Sequence, residues 1–401
     1  MTLRFLSTVA IAGLLLSCAQ AKEEKTTNLI QETVAVAEQQ IGFQTELIER
    51  SGKVLIPRTV KNDKIQYVSI EDWTSGFFAG SMWYMYDLTG NEKWKTLGVK
   101  FTEHLDSAKY LTWHHDVGFM INSSYGNALR VTGNEAYKEV MIEAARSLAT
   151  RFRPIPGVIQ SWDEDRGWQG KRGWSCPVII DNMMNLELFF EATRLSGDSS
   201  YYKMAVSHAD VTMANHFRDD YSSYHVVDYD KIKGGARSHE TAQGFSDASA
   251  WARGQAWAIY GYTVCYRETG DKRYLSLAEN IYKYLFNHPR MPADYVPYWD
   301  FDAPDIPNEP RDASAAAIIA SALYEMSTYT TNTVYKATAD KIIASLASPA
   351  YLATVGTNHH FLLRHSVGSI PHGHEVDVPL NYADYYFLEA LVRKQKLEAT
   401  K

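Results

Sequence analysis

Thr89-Gly90-Asn91-Glu92-Lys93-Trp94 recurs as Thr132-Gly133-Asn134-Glu135-Ala136-Tyr137, as Ser196-Gly197-Asp198-Ser199-Ser200-Tyr201 and as Thr269-Gly270-Asp271-Lys272-Arg273-Tyr274. Asn332-Thr333-Val334-Tyr335 is a looser copy. In each full copy the glycine suits the left-handed residue that ends a helix. The Asn or Asp suits the cap of the next helix, and an aromatic falls within its first turn. These are helix-to-helix turns. The segments Met184 to Leu195, Tyr202 to Phe217, Ala256 to Glu268, Tyr274 to Phe286 and Ala313 to Thr328 agree, with apolar residues at three- and four-residue spacing. Period-two alternation is scarce, Tyr224 to Tyr229 being the best short candidate, so the expected class is all-α.

Long loops fall on the alternate connections: Lys109 to Phe119, Pro154 to Ile180, Arg218 to Trp251, Pro289 to Arg311 and Ala353 to Pro379. Helical hairpins separated in this way favour a single helical toroid whose loops carry a cleft on one rim. The composition is that of a globular chain, with 45% hydrophobic and 22% charged residues. The 26 Tyr, 15 Phe and 10 Trp supply more rings than a helical core needs, a surplus of the kind that stacks on sugars. A net charge of −7, mixed along the chain, argues against nucleic acid as a partner and offers no basic tract for a membrane surface.

The amino end reads separately. Arg4 precedes an apolar run from Phe5 to Leu16 that is too short to span a bilayer, so residues 1–17 are expected to be an export signal. Leu15-Leu16-Ser17-Cys18 resembles a bacterial lipobox, while Ala19-Gln20-Ala21 also fits the small-x-small rule. The tighter Leu-x-Ser-Cys order favours lipidation at Cys18. On this reading residues 18–26 are a linker, residues 27–398 form one catalytic domain, and the protein is lipid-anchored in the periplasm or at the outer membrane. Cys176 and Cys265 are then expected as free, buried thiols.

Two aspartates interrupt apolar, aromatic-rich stretches, Asp116 in His-His-Asp-Val-Gly-Phe and Asp181 in Ile-Ile-Asp-Asn-Met-Met-Asn. A carboxylate is expensive to bury without a partner, so the two point to a polar cavity inside the fold. Trp251-Ala252-Arg253-Gly254-Gln255-Ala256-Trp257 opens a helix, and its arginine can either fork onto a carboxylate or staple a helix end by cation-π contact. Asp181-Asn182 also reads as a helix N-cap, and Asp116 as a partner of His114 or His115. His372-Gly-His374-Glu375-Val-Asp377 has no metal-cage spacing and reads as a rim loop.

Taken together, Trp73-Thr-Ser-Gly-Phe-Phe-Ala-Gly, His115-Asp116-Val-Gly-Phe, Asp181-Asn-Met-Met-Asn, Tyr224-His225, Gln243-Gly-Phe-Ser-Asp247, the Trp251-to-Trp257 segment and Arg311-Asp312-Ala-Ser-Ala-Ala-Ala resemble glycoside hydrolase family 88, the unsaturated glucuronyl hydrolases, from about Thr27 to Lys396. The resemblance implies a six-hairpin α/α barrel and an exo-acting enzyme that removes 4,5-unsaturated uronic acid from the non-reducing end of lyase-generated oligosaccharides. It further implies Asp181 as proton donor and then base, Asp116 as an ionised companion, and His225, Gln243, Arg253, Trp257 and Trp73 around the sugar. No cofactor or metal enters this chemistry. The related family 105 typically reads Arg-Gly-Asn where this chain has Arg253-Gly254-Gln255. A glycan-binding lipoprotein that had lost its chemistry is disfavoured by the presence of both aspartates and His225. Ser366-Val-Gly-Ser369-Ile-Pro371 lacks the lysine of the Ser-x-x-Ser-x-Lys pattern found in relatives that accept certain sulfated sugars.

Overall fold

The computed structural model describes residues 29–399, so the expected export signal, the expected linker and Cys18 lie outside the described residues. In chain order its helices are α1 (29–50), α2 (Ser75–Thr89), α3 (Glu92–Glu103), α4 (Val117–Ile121), α5 (Asn127–Thr132), α6 (Ala136–Ala149), α7 (Leu186–Ser196), α8 (Ser199–Asn215), α9 (Ala252–Thr269), α10 (Lys272–Asn287), α11 (Ala313–Met326), α12 (Val334–Leu346) and α13 (Asn381–Ala399). A π turn over Asn122–Gly126 joins α4 to α5, which run on as one interrupted helix. The inner ring is α2, α4–α5, α7, α9, α11 and α13, and it closes where α13 packs on both α11 and α2. The fold is the expected six-hairpin α/α toroid. Helix α9 is buried on every side from Ala252 through Cys265 and so lacks the one-sided apolar stripe of a surface helix.

The recurring turn works as the sequence implies. Gly90, Gly133, Gly197 and Gly270 all have φ between 65° and 76°, and Asn91, Asp198 and Asp271 accept the backbone N–H two residues on. The residue before each glycine closes the turn from the other side: Thr89, Thr132, Ser196 and Thr269 accept the N–H of the Asn or Asp through their hydroxyls at 3.1–3.2 Å. The aromatic then reaches the preceding outer helix, Tyr137 donating to Glu103, Tyr274 to Asp210 and Tyr335 to Glu279. One six-residue phrase therefore ends a helix, starts the next and stitches the outer ring. Inside, Gly76 and Gly80 set the spacing of α2. A Cβ at Gly76 would overlap the Met120 carbonyl and Ser123 Oγ, and one at Gly80 the Tyr385 ring.

Helix α9 opens at Ala252, inside the Trp251-to-Trp257 segment expected to open a helix, with Arg253 and Gln255 buried in its first turn. One helix start differs from expectation. Helix α7 begins at Leu186, after a 3-10 turn over Ile180–Asn185. The long loops carry short antiparallel pairs. These are β3 (Phe152–Arg153) with β4 (Val158–Ile159), β5 (Pro177–Ile179) with β6 (Val226–Tyr229) and β7 (Ala236–Glu240), and β8 (Ser366–Ser369) with β9 (His374–Val378). A further hairpin, Ile56–Lys61 with Lys64–Val68, precedes α2 and was not anticipated. Cys176 and Cys265 are free and buried, as expected.

Candidate active site

Sheet register brings the expected residues together. Ile179 pairs with Val226, and the Ile180 N–H donates to the His225 carbonyl, which sets Asp181 beside His225. Val226 in turn pairs with Glu240. The next turn of that chain folds over the imidazole, and the N–H groups of Ala242 and Gln243 both donate to His225 Nδ1, at 3.0 and 3.1 Å. Two donors on Nδ1 require a lone pair there, so the ring proton sits on Nε2. Burial holds the ring well below its ordinary pKa, with Arg253 acting in the same direction, so His225 is a neutral donor. Its Nε2 lies 3.8 Å from Asp181 Oδ2 and meets no protein acceptor within hydrogen-bonding distance.

Asp181 sits inside the 3-10 turn, and α7 is capped at Asn185 without a side-chain bond, so the N-cap reading of Asp181 does not hold. On α9, Arg253 and Trp257 stand one turn apart on the face toward Asp181. Burial pushes the Asp181 carboxyl up to about 7. The Arg253 charge, its own backbone N–H and the Trp257 indole N–H pull the other way. Trp257 Nε1 has no other partner.

Asp116 precedes α4, with its N–H donating to His114 Nδ1 at 3.0 Å. His115 Nε2 is 3.1 Å from its Oδ2. His114, His115 and Asp116 are, among the described residues, the one group of His, Cys, Asp and Glu close enough to surround an ion. The His114 lone pair that would have to turn inward is already engaged by the Asp116 N–H.

Burial, and after it the charge on Asp181, raises Asp116 well above the ordinary carboxylate range, and Asn185 and Arg151 do not offset this. Both carboxyls of the pair are therefore held above their ordinary range by burial, with Arg253 and Trp257 acting against the shift at Asp181. Arg253 is 1% exposed. Nη1 donates to Asp312 Oδ2 and to the Val367 carbonyl, and Nη2 to the Gly368 carbonyl. The guanidinium lies 4.5 Å from the Trp251 ring centre. Among the described residues Nε has no partner and Nη2 has one acceptor for its two hydrogens, so the Nε–Nη2 edge keeps donors for a ligand.

Trp73 packs on Phe77, Phe119 and Tyr382, with the Arg58 guanidinium 6.0 Å from its ring centre, and Gln243 is half-buried. The sequence reading missed a tryptophan wall in the loop before β5. Trp162 and Trp174 stack at 5.7 Å and Trp168 meets both, while Trp162 stands edge-on to His115 and His225 alike. Three tryptophans at six-residue spacing were the available signal. Arg58 was also missed. From the unanticipated hairpin it grips Glu375 through two nitrogens, at 2.6 and 3.0 Å, and Asp72 at 2.7 Å. His372 and Asp377 have their own partners in Ser369 and His365, consistent with a rim loop.

Buried donors and acceptors without protein partners, set among indole faces at one mouth of a helical toroid, answer the needs of a sugar ring. They make the protein an α/α-barrel glycoside hydrolase. No protein-family model matches the chain, but full-length relatives do. An unsaturated glucuronyl hydrolase of Formosa agariphila is 43% identical, the match covering 97% of this chain and 98% of the relative. An unsaturated chondroitin disaccharide hydrolase of Streptococcus pneumoniae is 34% identical, covering 81% and 82%. Among solved structures, an unsaturated glucuronyl hydrolase specific for heparin superposes with a TM-score of 0.87 at 43% identity, covering 93% of this chain and 98% of that one. The chain belongs to the unsaturated glucuronyl hydrolases, glycoside hydrolase family 88. It is a glycosidase that removes unsaturated uronic acid from oligosaccharides.

Proposed function

We propose that this enzyme hydrates the C4=C5 vinyl ether of the terminal sugar with Asp181 as its proton donor. Protonation at C4 leaves an oxocarbenium-like centre at C5, water adds there, and the resulting hemiketal opens and expels the remaining sugar. One group that is first acid and then base suffices, unlike a retaining or inverting glycosidase with two carboxyls at the anomeric carbon. The observation that carries this reading is Asp181 itself: a carboxyl raised to about 7, its Oδ2 buried and unpartnered between His225 and Arg253.

The two carboxyls are coupled, and the reaction needs the proton on Asp181. Asp116 Oδ1 is buried without a partner, and a sugar hydroxyl donating there would favour its ionised form. An ionised Asp116 then keeps Asp181 protonated, so substrate binding itself sets up the acid. His225 Nε2–H and the Arg253 Nε–H are the donors available to the uronate or ring oxygens, Gln243 lines the same wall, and Trp257 and Trp73 bound the ring.

The substrates put forward are unsaturated disaccharides released from glycosaminoglycans, on the strength of the chondroitin and heparin activities carried by relatives. The proposed location is outside the cytoplasm on a lipid at Cys18, supported by Arg4, the apolar run Phe5 to Leu16 and the Leu-x-Ser-Cys order. Labelled palmitate should enter the wild type and not Cys18→Ala. The activity is tested by following the ultraviolet absorbance of the conjugated C=C–COO⁻ group on lyase-generated disaccharides. Steady absorbance across chondroitin-, heparin- and ulvan-derived substrates would end the hydration reading.

A further inference from the structure

Among the described residues Arg253 is the cation that acts on Asp181, and a full, fixed positive charge there would hold the carboxyl as an anion and stop it from donating a proton. What restrains Arg253 is Asp312, a residue with no exposed surface at the start of α11. Its carboxylate divides its work between two oxygens. Oδ1 caps α11, accepting from the Ser314 N–H at 3.1 Å, the Ala315 N–H at 3.4 Å and Ser314 Oγ at 2.5 Å. Oδ2 accepts from Arg253 Nη1 at 3.2 Å. The Val367 N–H also reaches Oδ1, at 3.4 Å, so one side chain ties α11, α9 and β8 together.

We propose that Asp312 is a positioning residue for the reaction: it fixes the Arg253 guanidinium behind Asp181 and takes up part of its charge, leaving Asp181 able to carry a proton. This rests on Asp181 being the proton donor. The other groups facing the pair do not replace Asp312. Glu375 on β9 lies toward Arg253 but is gripped by Arg58, and Tyr382 on α13 is a neutral phenol over which the guanidinium lies at 5.5 Å. Toward Asp181 itself stand His225, neutral, the Trp257 indole and Asp116. Asp312 is thus the acid that shares Arg253 with Asp181.

The test is the pH profile of kcat for the full chain, read by loss of absorbance on an unsaturated chondroitin disaccharide. Asp312→Asn keeps an oxygen for the helix cap and removes the charge. The high-pH limb should move down by about one pH unit, giving a roughly tenfold lower kcat at pH 8 with little loss at pH 5. Asp312→Glu, which restores the charge, should return the limb toward the wild-type position. An unmoved limb, with kcat lowered evenly at every pH, would show a merely structural Asp312 and overturn the proposal. Should Asp312→Asn fail to fold, Arg253→Gln asks the same question from the other side: the limb should rise, and a limb that stays in place overturns the proposal equally. A wild type that consumes no unsaturated disaccharide would instead reject the proton-donor reading beneath it.

Discussion

The two mouths of the toroid are both rich in buried charge, yet they follow opposite rules. At the mouth formed by the long loops, Asp116 Oδ1, Asp181 Oδ2, His225 Nε2, Trp257 Nε1 and Arg253 Nε are buried and unpartnered. At the other, a cavity of about 700 Å³ is lined by charges that answer one another. Glu389 accepts from the hydroxyls of Tyr84, Tyr260 and Ser321, Arg267 pairs with Glu187, Glu268 and Glu325, and Arg393 joins Glu325 to Glu389. That cavity is the structural one. An orphaned buried polar group costs about 1–3 kcal/mol, so a cluster of them persists where a ligand will complete it, whereas a closed ionic network needs nothing further.

Substitutions should separate the two ends. Asp181→Asn should lower kcat by about 10³- to 10⁴-fold while binding substrate and folding normally, as read by absorbance loss and by calorimetric titration. Turnover at the wild-type rate would remove Asp181 from its role. At the far mouth, Glu389→Leu should cost about 3–5 kcal/mol in urea unfolding, because Arg393 and three hydroxyls lose their acceptor, with kcat per folded molecule unchanged. A lower kcat there would mean that the ends communicate.

The pH dependence sharpens the contrast. Wild-type kcat/KM should fall as pH rises through about 7, where Asp181 of the free enzyme loses its proton. Stability carries the same sign. The folded-state pKa of Asp181 is raised, so no penalty exists below the unfolded value of about 4, and it grows as pH climbs from there to about 7. Asp181→Asn should accordingly match the wild type at pH 4 and exceed it by about 2–4 kcal/mol at pH 8. An equal gain at both pH values would contradict the raised pKa. The smallest effect is expected of Trp257→Phe. Losing the indole N–H raises Asp181 further and should move the high-pH limb of kcat up by about half a unit.

Much of this was legible beforehand, for identifiable reasons. Backbone conformation is a local matter, so a glycine forced to positive φ and an Asx side chain closing on an N–H two residues away announce themselves in sequence at Gly90-Asn91 and its copies. The carboxyls showed as burial anomalies, and family motifs named His225, Gln243, Arg253, Trp257 and Trp73. Hidden were features that depend on partners far along the chain. Arg58 meets Glu375 more than three hundred residues away, and nothing local marks either one for the other.

By itself the sequence determined the helical repeat, the all-α class, the family and the two aspartates that are the candidates for the chemistry, since each rests on local dihedral preference or on residue type. Tertiary structure alone decided the surroundings of each carboxyl. Arg253 and Trp257 act on Asp181, Asn185 and Arg151 on Asp116, and Asp312 engages Arg253. A pKa is set by charges a few ångströms away in space, and their distance along the chain does not record it.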